Sequence, residues 1–429
     1  MLSLARRENV TLSRWLQWIE HSTWQRLAIS CYILETQQAT LLAREPLPSL
    51  LQESGVDLPF PAPTLVWDAT NLNDWAIAVQ QHSSSPQYVF EVSPGSVSPT
   101  CDTFQSSLLI AAYYNRFNLV APYASTPSIE DIDHVLDGSF ATQQKLLAAK
   151  LLQVTPVRAL LAVSGESWIL SEKVPSQQVF NALKATIRTW VAQLWSATTS
   201  DSQHVSVKEA IRLSIQILQL ALNTSPDAFT LNMGADMGMY FAALVLWAAT
   251  TAASTRGSQY ALRDASHHNR SPPTFIGHHG SMSVPSTPTQ LPNTISTLPT
   301  LASSPIQMNA LGLVHSQPTS PGRHDSFAAT TLLSHDQITL NSMSFLSDIL
   351  GLVTAEPNSQ HIPDLAGLQT GCVSMLLWVK LQLRGASADG QTDGDLWANR
   401  PGEGLGELLD SVVGSLERIL KRDWTEWGI

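Results

Sequence analysis

Ser13-Arg14-Trp15-Leu16-Gln17-Trp18-Ile19-Glu20-His21-Ser22-Thr23-Trp24 opens a run, continuing to Leu34, whose reading decides the fold class of this chain. Apolar or small residues recur at Leu12, Leu16, Ile19, Thr23, Leu27, Cys31 and Leu34. That three-and-four spacing keeps one face of an α-helix dry, so the stripe is expected to pack against other helices. Trp15, Trp18 and Trp24 add large apolar surface around it and read as core packing, each buried indole wanting an acceptor for its N–H. Glu45-Pro46-Leu47-Pro48 stops the helix, because proline removes a donor and restricts the residue before it. Beyond Asp57-Leu58-Pro59 come Leu65-Val66-Trp67-Asp68-Ala69, and a second helix is expected near Asn71, carrying Trp75.

The 429 residues allow a sizeable core, and only 14% are charged, which points to many buried helices and uncharged polar loops. With 24 Lys+Arg against 35 Asp+Glu, the net charge is −11. An acidic chain without a basic run is a poor partner for phosphate backbones, so this polypeptide alone should not grip DNA. Cys31, Cys101 and Cys372 lie far apart with no neighbouring cysteine or histidine at ligand spacing, which excludes a zinc finger within the chain. Cys31 falls on the apolar stripe and reads as a small buried thiol. Met1-Leu2-Ser3-Leu4-Ala5-Arg6-Arg7 lacks the apolar run of a secretory signal.

Helical periodicity continues over 103–117, from Thr126-Pro127 toward Gly138, and over 139–154, 178–196 and 207–222, with almost no period-two alternation. Gly238 to Ala253 is the most apolar segment; it is short for a membrane span and reads as a buried core helix. From about Ser254 to His335 the composition turns to Ser, Thr, Pro, Gly and His, the signature of a disordered insert. It holds Ser271-Pro272, Thr287-Pro288, Ser304-Pro305 and Ser320-Pro321, sites a proline-directed kinase could charge. Helical patterns resume around Leu340–Leu350, Cys372–Leu383 and Leu405–Leu420. The expected architecture is an all-α multi-helix array: 1–253 helical, 254–335 a disordered Ser/Pro/His-rich insert, and 336–429 C-terminal helices packing back on the first unit.

Chemistry finds little footing. Gly165-Glu166-Ser167 begins like a nucleophile elbow, but Ile169 stands where the second glycine belongs and no strand is expected before it. Gly402-Glu403-Gly404-Leu405-Gly406 lacks the lysine of a phosphate loop. His267-His268 and His278-His279 sit in the biased tract and read as compositional. Glu130, Asp133 and Asp137, at spacings of three and four, would share a helix face and could hold magnesium against a diphosphate in an all-α isoprenoid synthase. No second acidic motif accompanies them, and a solvated helix face is the plainer reading. No catalytic, cofactor-binding or metal-binding residue is therefore assigned, and the chain is not expected to be an enzyme.

The order Trp15-Leu16-Gln17-Trp18-Ile19-Glu20-His21-Ser22, Arg26-Leu27, Tyr32-Ile33-Leu34-Glu35, Asp57-Leu58-Pro59, Leu65-Val66-Trp67-Asp68-Ala69 and Trp75 resembles the fungal-specific transcription factor domain of fungal zinc-finger regulators. Tyr240-Phe241-Ala242-Ala243-Leu244-Val245-Leu246-Trp247-Ala248 is similar to an apolar helix near the end of that domain, so the likeness spans Ser13 to Ala253. The resemblance implies an all-helical regulatory domain of a nuclear transcription factor, acting through other transcription-regulatory proteins, with effector sensing as a further role of such domains. It also implies that zinc and DNA contact belong to an N-terminal module lacking here, and that the domain is N-terminally incomplete, since Met1 lies almost on the tryptophan motif. No membrane association is expected.

Overall fold

The computed structural model describes residues 11–41, 58–82, 86–92, 101–114, 132–170, 172–195, 207–224, 235–268, 334–354, 365–384 and 407–429. In chain order the helices are α1 (Leu12–Leu41), α2 (Thr64–Trp67), α3 (Leu72–Gln81), α4 (Thr103–Tyr113), α5 (Phe140–Gln153) and α6 (Val157–Ser164). A two-residue hairpin follows, β1 (Trp168–Ile169) antiparallel to β2 (Glu172–Lys173), with Trp168 opposite Lys173. Then come α7 (Gln177–Ala192), α8 (Val207–Leu222), α9 (Ala235–His268), α10 (His335–Thr354), α11 (Leu365–Leu383) and α12 (Glu407–Lys421). The all-α class is as expected. The hairpin strands are too short for alternation to show in the sequence.

Local chemistry sets the helix starts. Asn71 caps α3 by accepting from Asp74 N at 2.9 Å. Asp102 and Gln105 form a reciprocal capping box on α4, at 2.8 and 3.1 Å, satisfying two amide donors that a helix end otherwise leaves bare. Ser139 and Ser176 cap α5 and α7 in the simpler way.

α9 is the axis of the main core. Every residue from Met237 to Ala253 is buried, and Met239 to Ala249 read apolar without a break. A helix apolar on all sides must be surrounded on all sides. Around it stand α5, α6, α7, α8, α11 and the 3-10 turn Trp424–Glu426. Thr250, Thr251 and Ser254 each donate to the carbonyl one turn back, at 2.9, 2.8 and 3.0 Å, and Ser254 also accepts from Gln369 Nε2 of α11 at 2.9 Å. Gly238 lets α9 cross α5 closely, since a Cβ there would stand 2.9 Å from that of Ala148. Gly371 does the same for α11 on α10, where a Cβ would come within 2.7 Å of Phe345. At the C-terminal side of this core the Trp247 and Trp427 rings meet edge to face, centroids 4.8 Å apart.

One ion cluster ties α12 to α11. Glu417 accepts from Lys380 at 2.8 Å and from Arg384 at 3.0 Å. Burial works to raise the Glu417 pKa, but the Lys380 hydrogen bond and the surrounding positive charge outweigh it and hold the carboxyl below its ordinary value.

Several expectations need correction. The anticipated inward stripe of α1 faces solvent: Leu12, Leu16, Leu27 and Leu34 are exposed, as are Trp24 and Cys31. The buried side is the opposite one, with Trp18, Ser22, Ile29, Tyr32, Ile33, Thr36 and Ala39. Both sides satisfy the same three-and-four spacing, and the inward one wins because its aromatic and β-branched side chains meet α3 and α4. Indole donors are also less demanding than expected: the N–H groups of Trp75, Trp190 and Trp247 find no acceptor among the described residues. α9 runs on to His268, past the Ala253 boundary set for the helical unit. The rest of the anticipated insert, 269–333 with its Ser-Pro and Thr-Pro pairs and His278-His279, lies outside the described residues, as do 42–57, with Glu45-Pro46-Leu47-Pro48, and 401–406.

Truncating Trp247 to Ala should cost about 3–5 kcal/mol, the range for emptying a fully buried large side chain. Leu12→Ala on the outward side of α1 should change stability by less than about 0.5 kcal/mol. Urea titrations of both variants check the contrast. A second titration tests Glu417. Its lowered folded pKa makes its stabilisation present above the ordinary glutamate range and lost as pH falls through the folded value. The urea midpoint should therefore drop between roughly pH 5 and pH 3, and Glu417→Gln should flatten that drop.

The Arg26 junction as candidate functional site

The segment Pro59-Phe60-Pro61-Ala62-Pro63 has three prolines, so it cannot supply the amides of a sheet strand. It makes one isolated bridge, Pro59 with Tyr88, with Phe60 N donating to Gln87 O at 2.8 Å and Val89 N to Leu58 O at 3.0 Å. Side chains fix its remaining carbonyls. Gln25 Nε2 donates to Phe60 O at 3.2 Å, Gln105 Nε2 to Pro61 O at 2.9 Å and Arg26 Nη2 to Ala62 O at 3.0 Å. One extended strap is thus held from α1 on one side and from α4 on the other.

Arg26 is the centre of this junction. Its guanidinium carbon lies 4.7 Å from the ring centroid of Trp67 and 4.7 Å from that of Phe104. A planar cation can meet two aromatic faces while its N–H edge still donates to the strap. Burial lowers the Arg26 pKa, and the charges of Asp102 and Asp68 oppose that shift without cancelling it. Asp102 does a second job beyond capping α4: its Oδ2 accepts from Thr64 N at 2.6 Å and Thr64 Oγ1 at 2.9 Å, anchoring the start of α2. Beside the junction, Trp18 lies between Trp67 and Trp75, with centroid distances of 6.4 and 5.5 Å and tilted planes.

The acidic residues singled out in the sequence have other employment. Asp133 lies in a 3-10 turn, Asp133–Val135, rather than on an α-helix, and Asp137 follows that turn. Their spacing therefore does not align them on one helix face; Glu130 lies outside the described residues. Asp133 accepts from Tyr114 Oη at 2.6 Å and pairs with Lys150. Asp137 accepts from Thr103 Oγ1 at 2.8 Å, Thr142 Oγ1 at 3.3 Å and Ser139 N at 3.2 Å. Burial pushes its pKa up, but these hydrogen bonds prevail and keep it low. Both carboxylates thus close the turn between α4 and α5. Among the described residues, no group of three or more His, Cys, Asp or Glu side chains is placed to hold a metal ion.

Gly165-Glu166-Ser167 is a helix end rather than an elbow. Ser167 N donates to Ala162 O at 2.8 Å and Glu166 N to Val163 O at 3.1 Å, the paired bonds of a Schellman cap. Glu166 occupies the left-handed position usually given to glycine, at φ 52°, and its carboxylate accepts from Arg422 at 2.7 Å. Cys101 and Cys372 are buried, and burial pushes both thiols up to about 12, so neither offers a thiolate near neutrality. His267-His268 ends α9.

Sequence reading named Trp15, Trp18 and Trp24 as core, of which Trp24 is exposed, and quoted Trp67, Trp75 and Arg26 only within a pattern. The prolines of the strap signal a need for side-chain donors, but nothing local to them points to Gln25 and Arg26 as the suppliers.

Residues 2–116 match the fungal specific transcription factor domain. The matched stretch holds α1 to α4, and with them Arg26, the strap, Trp67, Trp75, Asp102 and Phe104. The helices from α5 onward, including the apolar run at Tyr240–Ala248, lie outside the match. No curated protein and no solved structure matches the chain. Domains of the matched family are in general not enzymes.

Replacing Arg26 by Ala should destabilise the chain by roughly 2–3 kcal/mol through loss of two ring contacts and a charge-assisted hydrogen bond. Arg26→Lys should recover less than half, since an ammonium cannot stack and donate along one plane. Urea unfolding followed by tryptophan fluorescence measures both; a lysine variant as stable as the unmodified chain would show that charge alone suffices.

Proposed function

We propose that this chain is the regulatory part of a fungal transcription factor, working in the nucleus through contacts with other transcription-regulatory proteins. The observation that carries this reading is that the Arg26 junction lies wholly within the matched stretch: the residues that lock α1, the strap and α4 into one unit all fall between 2 and 116. A locked unit of this kind presents a rigid surface. On this reading DNA is contacted by a zinc module that this sequence does not include. The net charge of −11 supports that division of labour, because duplex affinity comes largely from neutralising phosphates.

A tethering experiment tests the reading. Fused to a heterologous DNA-binding module in a fungal host, the chain should change reporter output relative to the module alone, and a fluorescent fusion should collect in the nucleus. The double variant Arg26→Ala/Trp75→Ala should lose the reporter effect. The purified chain should bring no stoichiometric zinc and show no duplex binding that weakens steeply with salt. Unchanged reporter output, or salt-sensitive DNA binding by the isolated chain, would count against the proposal.

A further inference from the structure

α1 is apolar on two sides, and among the described residues one of them is covered. At about 100° per residue, Leu12, Leu16, Trp24, Leu27, Cys31 and Leu34 fall within one sector roughly 120° wide, opposite the buried sector. Leu12, Leu16, Trp24, Leu27 and Leu34 remain 56, 55, 66, 52 and 38% exposed. Together they leave roughly 500 Å² of apolar side chain in water, near the upper end of the largest patch a monomer shows. Two such faces laid together would bury about 1,000 Å² from these side chains alone, the size at which a specific interface becomes credible.

We propose that this outward face of α1 pairs with the same face of a second copy, antiparallel about a twofold axis near Thr23. The spacing is what selects a second copy. Measured from Thr23, Leu12 and Leu34 stand eleven residues to either side, and Leu16 and Cys31 seven and eight. An antiparallel twofold therefore sets Leu12 on the partner's Leu34 and Leu16 on the partner's Cys31, with the two Trp24 side chains meeting at the centre. The row matches itself at Leu12 with Leu34, Leu16 with Cys31 and Trp24 with Trp24, as an isologous interface requires, while Leu27, four residues past Thr23, meets the partner helix at the Ile19–Glu20 turn. Charge selects the direction. Glu20 is the single charged residue in the outward sector of α1. A parallel pair would set the two Glu20 carboxylates face to face, whereas the antiparallel pair holds them roughly 10 Å apart, about one screening length. The helix dipoles also oppose each other in the antiparallel arrangement. This pairing stands independently of the transcriptional reading.

Sedimentation of the full chain between about 1 and 100 μM, the range that fills a micromolar dimer, reads the outcome. The expected result is a dimer whose formation Leu27→Glu weakens at least tenfold, with helical circular dichroism unchanged because Leu27 is exposed in the single copy. Direction is read by oxidative cross-linking. The variant Leu16→Cys should form a disulfide between its introduced thiol and the partner's Cys31, while the unmodified chain, whose two Cys31 thiols would lie roughly 20 Å apart, should not cross-link. A monomer throughout that range overturns the proposal. So does a dimer indifferent to Leu27→Glu, or cross-linking of the unmodified chain through Cys31.

Discussion

A helix that is apolar on every side has to be enclosed, and the main core of this structure follows from enclosing α9. From Met237 to Ala253 it offers no polar edge to water, and the hydroxyls of Thr250 and Thr251 are turned back onto its own carbonyls. Its composition and length would also suit a membrane span, yet its most apolar window lies wholly inside the fold. The surrounding helices come from both sides of it in the sequence: α5 to α8 precede it, while α10 packs on α8 and α11, and α11 and the turn before Trp427 pack on α9 itself. The same constraint places Gly238 and Gly371 at the closest crossings, where a methyl group would already be too much.

The N-terminal helices solve a different problem. Their apolar surface is divided among Trp18, Val66 and Trp75 on one side and the cluster of Ile29, Tyr32, Leu108 and Ile132 on the other. Between these clusters runs a proline-rich strap whose carbonyls no strand can satisfy. Gln25, Arg26 and Gln105 supply the donors, and Asp102 caps α4 while anchoring Thr64. Packing and hydrogen bonding meet at one guanidinium, which is why a residue without reactive chemistry is the centre of the matched domain.

How much of this could be read from the sequence depended on whether one face or two satisfied the same rule. α9 was legible because its apolar run is continuous and leaves no choice. The starts of α3 and α5 were legible because Asn71 and Ser139 are strong caps. α1 was legible as a helix and not as an orientation: its outward Leu12, Leu16, Leu27 and Leu34 obey the same period as the inward set, and periodicity alone cannot rank them. Asp133 and Asp137 looked alignable because spacing presumes an α-helix, and a 3-10 turn with hydrogen-bonded carboxylates replaces it. The Arg26 junction depends on contacts between residues 26, 67, 102 and 104, which no local pattern encodes.

The helices on both sides of α9 in the sequence close around it as one cooperative core. Amide hydrogen exchange on the whole chain tests it most directly, since protection reports the free energy of opening each segment. The account predicts that residues 239–253 exchange slowest, and that α11 and the segment around Trp427 lose protection together with them as urea is raised. Rapid exchange within 239–253, or α11 opening well before α9, would contradict it.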